Sequence, residues 1–358
     1  MTSWRGRKSD LATLSDADFK RMNTEGERLI IDLSQPLSVI EQAHRKAVEQ
    51  GVEAWGWIEV GRDVVAATTH PEWMHAPQHH EWLEAYPNWR TSGGKHPALV
   101  YPWVCVNNLE VFDYALKRVV SLVEGAPPLA GVFLNDIQGP PAGCGCGNIL
   151  CRSWDNSPGE KVALTPYVNP DVFFSKVFWR ACADALANLK EKSIFPSNVI
   201  PILCGECELE VQIAEAYSPD DALGNCRGIP CAGVCAHSYW PAMVRAFANA
   251  EGGPKQVGLL TPYKLMGRDS PIYGGTAAWT GGLVSYYRTF DPNANLIAVV
   301  QGWDVNEAEL EAQKTVAAKA GAAGVLVLET PLNQSWEPQR PPEGYAPIVP
   351  PAMCKHTS

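Results

Sequence analysis

Short β-branched or apolar runs alternate with amphipathic stretches along most of this chain, and few architectures accept that order. It is the pattern of repeated β-α units around a parallel sheet. The runs predict eight strands, over Leu29–Leu33, Glu53–Glu59, Ala98–Val106, Ala130–Asp136, Val199–Cys204, Gln256–Thr261, Leu296–Gln301 and Gly324–Glu329. Helical spacing falls between them at Pro36–Gln50, Leu109–Glu124, Pro170–Lys192, His237–Ala250 and Asn306–Ala320, and Gly125, Gly252 and Gly321 supply stops. The second and sixth crossover helices are placed near His79–Tyr86 and Thr280–Tyr287.

Val199-Ile-Pro-Ile-Leu and Val325-Leu-Val-Leu read as unbroken apolar runs, as strands do when both faces of a parallel sheet are covered. An open doubly wound sheet uses similar strands, but no Gly-x-Gly-x-x-Gly follows the first run. The expectation is therefore a single (β/α)8 TIM barrel over all 358 residues, α/β in class. Its long loops cover about 60–96, 137–168, 205–236 and 262–280, and a proline-rich tail covers 331–358. With 46% hydrophobic and 19% charged residues, the chain can bury a large core.

A formal charge of −10 and an isoelectric point near 5.3 argue against a nucleic-acid partner, because phosphate binding needs clustered Lys and Arg. Met1–Asp10 carries charges with no apolar segment behind it, so it does not read as a secretory signal. No apolar run approaches the ~18 residues of a membrane span. A cytoplasmic protein fits, and there eleven cysteines point to metal ligation or thiol chemistry rather than disulfides.

The cysteines cluster. Cys144, Cys146 and Cys151 lie in the loop after the fourth predicted strand; Cys204 and Cys207 close the fifth, and Cys226, Cys231 and Cys235 follow in the next loop. Thiolates are soft anionic zinc ligands and a closed tetrahedral site takes four, so eight could fill two sites. Glycines at 143, 145, 147 and 205 allow the tight turns required. Cys144, Cys146 and Cys151 with one residue of the second loop is one arrangement, but the pairing is open. Zinc that braces long loops is the expectation; an iron–sulfur cluster accepts the same ligands. Cys105 and Cys182 read as buried small hydrophobes and Cys354 as a tail thiol.

Several acids end the predicted strands: Asp136 after Gly131-Val-Phe-Leu-Asn, Glu206 past the fifth strand, Asp304 past the seventh, Glu329 at the eighth and Glu59 at the second. The carboxyl ends of barrel strands converge on one rim, where such folds place their functional sites. Glycosidic cleavage needs one carboxyl to protonate the leaving oxygen and another to attack or to activate water. Asp136 with Glu206 is the first pairing, with Asp304 in reserve and Glu329 on the same rim. Thirteen tryptophans are many; Trp57, Trp103 and Trp303, with His70, are candidates for a ligand wall because indole offers a broad apolar face with a polar edge. His75 and His79 have helical spacing for a zinc pair, but solvent- or substrate-facing roles fit this histidine-rich loop better.

Over Gly131–Arg152 the chain resembles glycoside-hydrolase-like barrels, which carry an Asp at the end of the fourth strand followed by a Cys-x-Cys-x2-Cys loop. Here the last spacing is Cys146-x4-Cys151. The likeness runs over about 70 residues, through the next helix, and implies the barrel more than a reaction. A carbohydrate-active hydrolase with a cysteine-bound structural zinc is the leading expectation. A zinc- or thiol-dependent lyase or transferase, and a carbohydrate-binding barrel without catalysis, are the alternatives. The ligand is expected to be a small molecule or a carbohydrate, with no membrane.

Overall fold

The computed structural model describes residues 4–33, 35–59, 66, 70, 110, 114, 117, 129–135, 199–204, 225–226, 229–230, 254–264 and 275–330. Eight parallel strands close into a barrel: β1 Trp4–Lys8, β2 Arg28–Asp32, β3 Ala54–Glu59, β4 Gly131–Asn135, β5 Val199–Cys204, β6 Val257–Leu260, β7 Leu296–Gln301 and β8 Gly324–Leu328, with β8 paired back onto β1. The described helices are α1 Asp16–Glu25, α2 Leu37–Glu49, α3 Ala278–Phe290 and α4 Glu307–Lys319. The expected (β/α)8 architecture is the one observed.

One barrel strand lies where no strand is expected from the sequence. β1 occupies Trp-Arg-Gly-Arg-Lys, a stretch too polar to read as a buried strand. Ala98–Val106 lies outside the described residues; the eight described strands close the ring among themselves, with β3 paired directly to β4 from Trp55↔Gly131 to Glu59↔Asn135. β1 is polar because its side chains serve ion pairs on both faces: Arg7 pairs with Glu27 and Glu329, and Lys8 with Asp32 and Glu59.

Local sequence accounts for the helix ends. Ser15 and Asp18 form a reciprocal capping box at α1, the Asp18 carboxylate accepting the Ser15 N–H at 2.9 Å, and Gly26 ends the helix at φ 65°. Asn306 and Glu309 repeat the device at α4. α2 turns Ile40, Ala43, His44 and Ala47 inward at helical spacing, and α3 does so with Trp279, Leu283 and Tyr287. These helices cover the outward row of the strands, including Leu29, Ile31, Ala298 and Val300. Each large aliphatic side chain buried there contributes roughly 1.5–3 kcal/mol.

The other row faces the bore. Lys8 on β1 reaches Glu59 on β3, past the intervening β2. Side chains from strands that are not neighbours meet on the concave side of a barrel and diverge on the convex side. Alternation then places Ile30 and Asp32, Trp57 and Glu59, and Phe133 and Asn135 in the bore with Lys8. At Gly302, just past β7, an added methyl would meet Val327 Cγ1 at 2.6 Å and the Leu328 carbonyl oxygen at 2.8 Å, so only glycine fits.

Candidate functional site

Barrel bores are ordinarily packed with layers of branched apolar side chains. Here the layer at the carboxyl ends of β1 to β4 is polar: Lys8, Asp32, Glu59 and Asn135 stand on four consecutive strands. Lys8 is 5% exposed, and its Nζ lies 2.9 Å from Asp32 Oδ2 and 3.8 Å from Glu59 Oε1. Glu59 Oε1 also accepts the Trp57 Nε1 hydrogen at 2.7 Å, and its Oε2 accepts from Asn135 Nδ2 at 2.7 Å. Among the described residues one ammonium faces two carboxylates here, a formal excess of one negative charge in a mostly enclosed place.

An aromatic floor lies beneath. Trp57 is fully buried, with the Lys8 ammonium 4.6 Å from its ring centroid and Phe133 at 6.0 Å; Trp55 meets Phe133 at 5.5 Å. Glu59 is therefore held by two hydrogen bonds, from Trp57 and Asn135, and by the ion pair with Lys8, contacts from three strands.

Opposite, Gln301 ends β7 at 2% exposure and accepts the Lys264 N–H at 3.1 Å. Lys264 Nζ donates to the Asp304 carbonyl at 2.8 Å and pairs with Glu309 at 2.8 Å. The Lys264 hydrogen bond holds the Glu309 carboxyl below its ordinary range, and the same bond raises the lysine. Burial, then the Glu309 charge, pushes the Tyr263 phenol up.

The sequence-predicted residues fall in different places. Asp304 lies on this rim, exposed and at φ 53°. Trp303 is half-buried beside it, and its carbonyl accepts from Gln301 Nε2 at 3.0 Å. Trp57 is in the bore, but beneath the polar layer with its N–H committed to Glu59. Glu329 follows β8, where its carboxylate accepts from Arg7 and from the Ser9 hydroxyl, an attachment to β1 on the outward row. The His70 N–H bonds the Ala66 carbonyl at 2.8 Å, and its ring meets Tyr114 edge-on at 6.1 Å.

Asp136, Glu206, Trp103, Cys144, Cys146, Cys151, Cys207, Cys231 and Cys235 lie outside the described residues. Cys204 ends β5, and Cys226 stands in a two-residue antiparallel pairing with Ile229. Among the described residues no group of three or more His, Cys, Asp or Glu is arranged to hold a metal, and no helix is long and apolar enough to cross a membrane. Lys8, Asp32 and Asn135 escaped sequence reading. Asp32 and Asn135 were legible as polar residues closing apolar runs; Lys8 was not, because its strand gave no apolar signal.

No protein-family model matches the chain and no curated protein matches it. Among solved structures it is similar to a β-galactosidase from the psychrophilic Marinomonas ef1 (11% identity, TM-score 0.48, covering 92% of this chain and 55% of that one). It is also similar to an endo-1,4-β-D-mannanase from Thermotoga petrophila RKU-1 (11%, 0.47, 91% and 88%) and to α-L-fucosidase isoenzyme 2 from Paenibacillus thiaminolyticus (15%, 0.39, 91% and 46%). The chain spans about half the length of the galactosidase and of the fucosidase.

Proposed function

We propose that this chain is a carbohydrate-active hydrolase whose substrate enters the carboxyl mouth of the barrel. The observation that carries the reading is the polar layer of Lys8, Asp32, Glu59 and Asn135, where a bore otherwise closes with apolar side chains. Glycosidic cleavage builds positive charge on the anomeric carbon and ring oxygen, and a mostly enclosed layer in which the described carboxylates outnumber the described ammonium favours that charge.

Asp136 follows Asn135 directly, and Glu206 follows β5 by two residues; they are the proposed acid and base pair. One carboxyl gives its proton to the leaving oxygen as the C–O bond breaks. The other attacks the anomeric carbon or takes a proton from the water that does, so that water is added across the bond. In this reading the loop cysteines Cys144, Cys146, Cys151, Cys204, Cys207, Cys226, Cys231 and Cys235 hold zinc that braces the loops around the mouth.

The test is hydrolysis of a panel of α- and β-linked p-nitrophenyl hexosides and pentosides, with reducing-sugar release from polysaccharides. The wild-type chain is expected to cleave at least one, and Asp136→Asn and Glu206→Gln each to lose ~10²-fold or more in kcat while folding normally. Losses below about tenfold in both would return the two acids to structural roles.

A further inference from the structure

β7 leaves the barrel through Gly302-Trp303-Asp304, and this turn is fixed by side chains from three elements. Gln301 donates from Nε2 to the Trp303 carbonyl at 3.0 Å while its Oε1 accepts the Lys264 N–H at 3.1 Å. Lys264 Nζ donates to the Asp304 carbonyl at 2.8 Å and is tied to Glu309 of α4. From the helix side the buried Gln313 accepts the Gln301 N–H at 3.0 Å and donates to its carbonyl at 2.8 Å. Inside this clamp Asp304 has φ 53° and is the one non-glycine residue with positive φ among the described residues.

Glycine would occupy that conformation at no steric cost, whereas a side chain there is strained, and such strain persists where the surroundings over-determine it. The side chain that incurs the cost is an exposed carboxylate at the carboxyl mouth, with no hydrogen bond to a described residue. Lys264 lies near enough to attract it. That neighbouring ammonium disfavours a cationic ligand, and an exposed ionised carboxylate is an acceptor for neutral hydrogen-bond donors. Paired hydroxyls of a sugar ring are such donors.

We propose that Asp304 is a substrate-binding carboxylate that accepts hydrogen bonds from sugar hydroxyls, with Lys264 and Gln301 as its positioning residues. The proposal rests on the carbohydrate reading of the mouth and reassigns Asp304 from proton transfer to binding. It is tested on the p-nitrophenyl glycoside that the wild-type chain cleaves best. Asp304→Gly is expected to raise KM tenfold or more, roughly the loss of one or two hydrogen bonds to a charged group, with kcat within about threefold. The same variant should keep its Tm or gain up to roughly 2 °C, because glycine accepts the turn without strain. Asp304→Asn, which keeps one acceptor, should fall between, and Lys264→Met should raise KM with the carboxylate still present.

Unchanged kinetics in Asp304→Gly with an active wild type would overturn the proposal and leave the carbohydrate reading standing. So would a Tm fall beyond about 5 °C, which would make the residue structural, or a loss confined to kcat, which would make it a reacting group. If the wild-type chain cleaves no glycoside and binds nothing on a glycan array, the carbohydrate reading fails and the proposal fails with it.

Discussion

Lys8→Met removes the one cation of the bore layer among the described residues and keeps most of the side-chain volume. At an effective dielectric near 20, separations of 2.9 Å to Asp32 and 3.8 Å to Glu59 correspond to attractions of about 6 and about 4 kcal/mol. Desolvation of the three groups opposes this by several kcal/mol per ion, so the pair itself adds little to net stability. The substitution, however, takes the Lys8 ammonium away from both carboxylates, and breaking a buried pair in this way costs about 3–5 kcal/mol. Asp32→Asn added to Lys8→Met removes one of the two carboxylate charges that faced the ammonium and should recover at least ~1 kcal/mol, a non-additivity expected of residues in one network. Urea unfolding followed by tryptophan fluorescence reads both numbers, given m-values that stay constant across the variants. A cost below about 1 kcal/mol for Lys8→Met, or no recovery in the double variant, would refute the claim that Lys8 holds the two carboxylates of this layer together.

Gly302→Ala drives a methyl into Val327 and the Leu328 carbonyl, and backbone cannot yield as a side chain can; a loss of about 1–3 kcal/mol is expected in the same urea experiment, and a neutral result would mean β7 and β8 separate freely there. Burial holds the His44 imidazole below its ordinary value, so the unfolded chain takes up the proton first: stability is full above pH ~6.5 and falls as pH drops through the folded value. Melting wild type and His44→Leu from pH 7.5 to 5.5 should show a shallower fall in the variant, and parallel curves would remove His44 from the account. Elemental analysis of protein prepared under reducing, metal-replete conditions should find bound zinc; metal-free, folded protein would end the proposal for the loop cysteines.

What the sequence made legible follows from which strands are apolar. β2, β5, β7 and β8 announce themselves because both faces are covered, and the helices after β2 and β7 end within a residue of where spacing and caps put them. β1 was invisible for a physical reason: Arg7 and Lys8 replace the apolar burial that strand patterning detects with buried ion pairs, whose partners lie far away in sequence. α1 could have been found from Ser15-Asp-Ala-Asp18, a capping pattern ahead of Phe19 and Met22. The acids at strand ends were legible as a rim, but direction was not: a shift of one residue turns a side chain from the bore to the helices, which separates Glu59, fixed in the bore, from Glu329, held by Arg7 and Ser9.

The polar layer at the mouth of the bore is tested most directly through Glu59, the carboxylate on which Trp57, Asn135 and Lys8 converge. The measurement is kcat of Glu59→Gln against wild type on the best-cleaved glycoside, beside a thermal melt. The account predicts a fall of ~10²-fold, comparable to the loss of one preorganised electrostatic contact, in protein that still melts cooperatively. Retention of kcat within about tenfold in a folded Glu59→Gln variant would contradict it, and the layer would then be a structural plug.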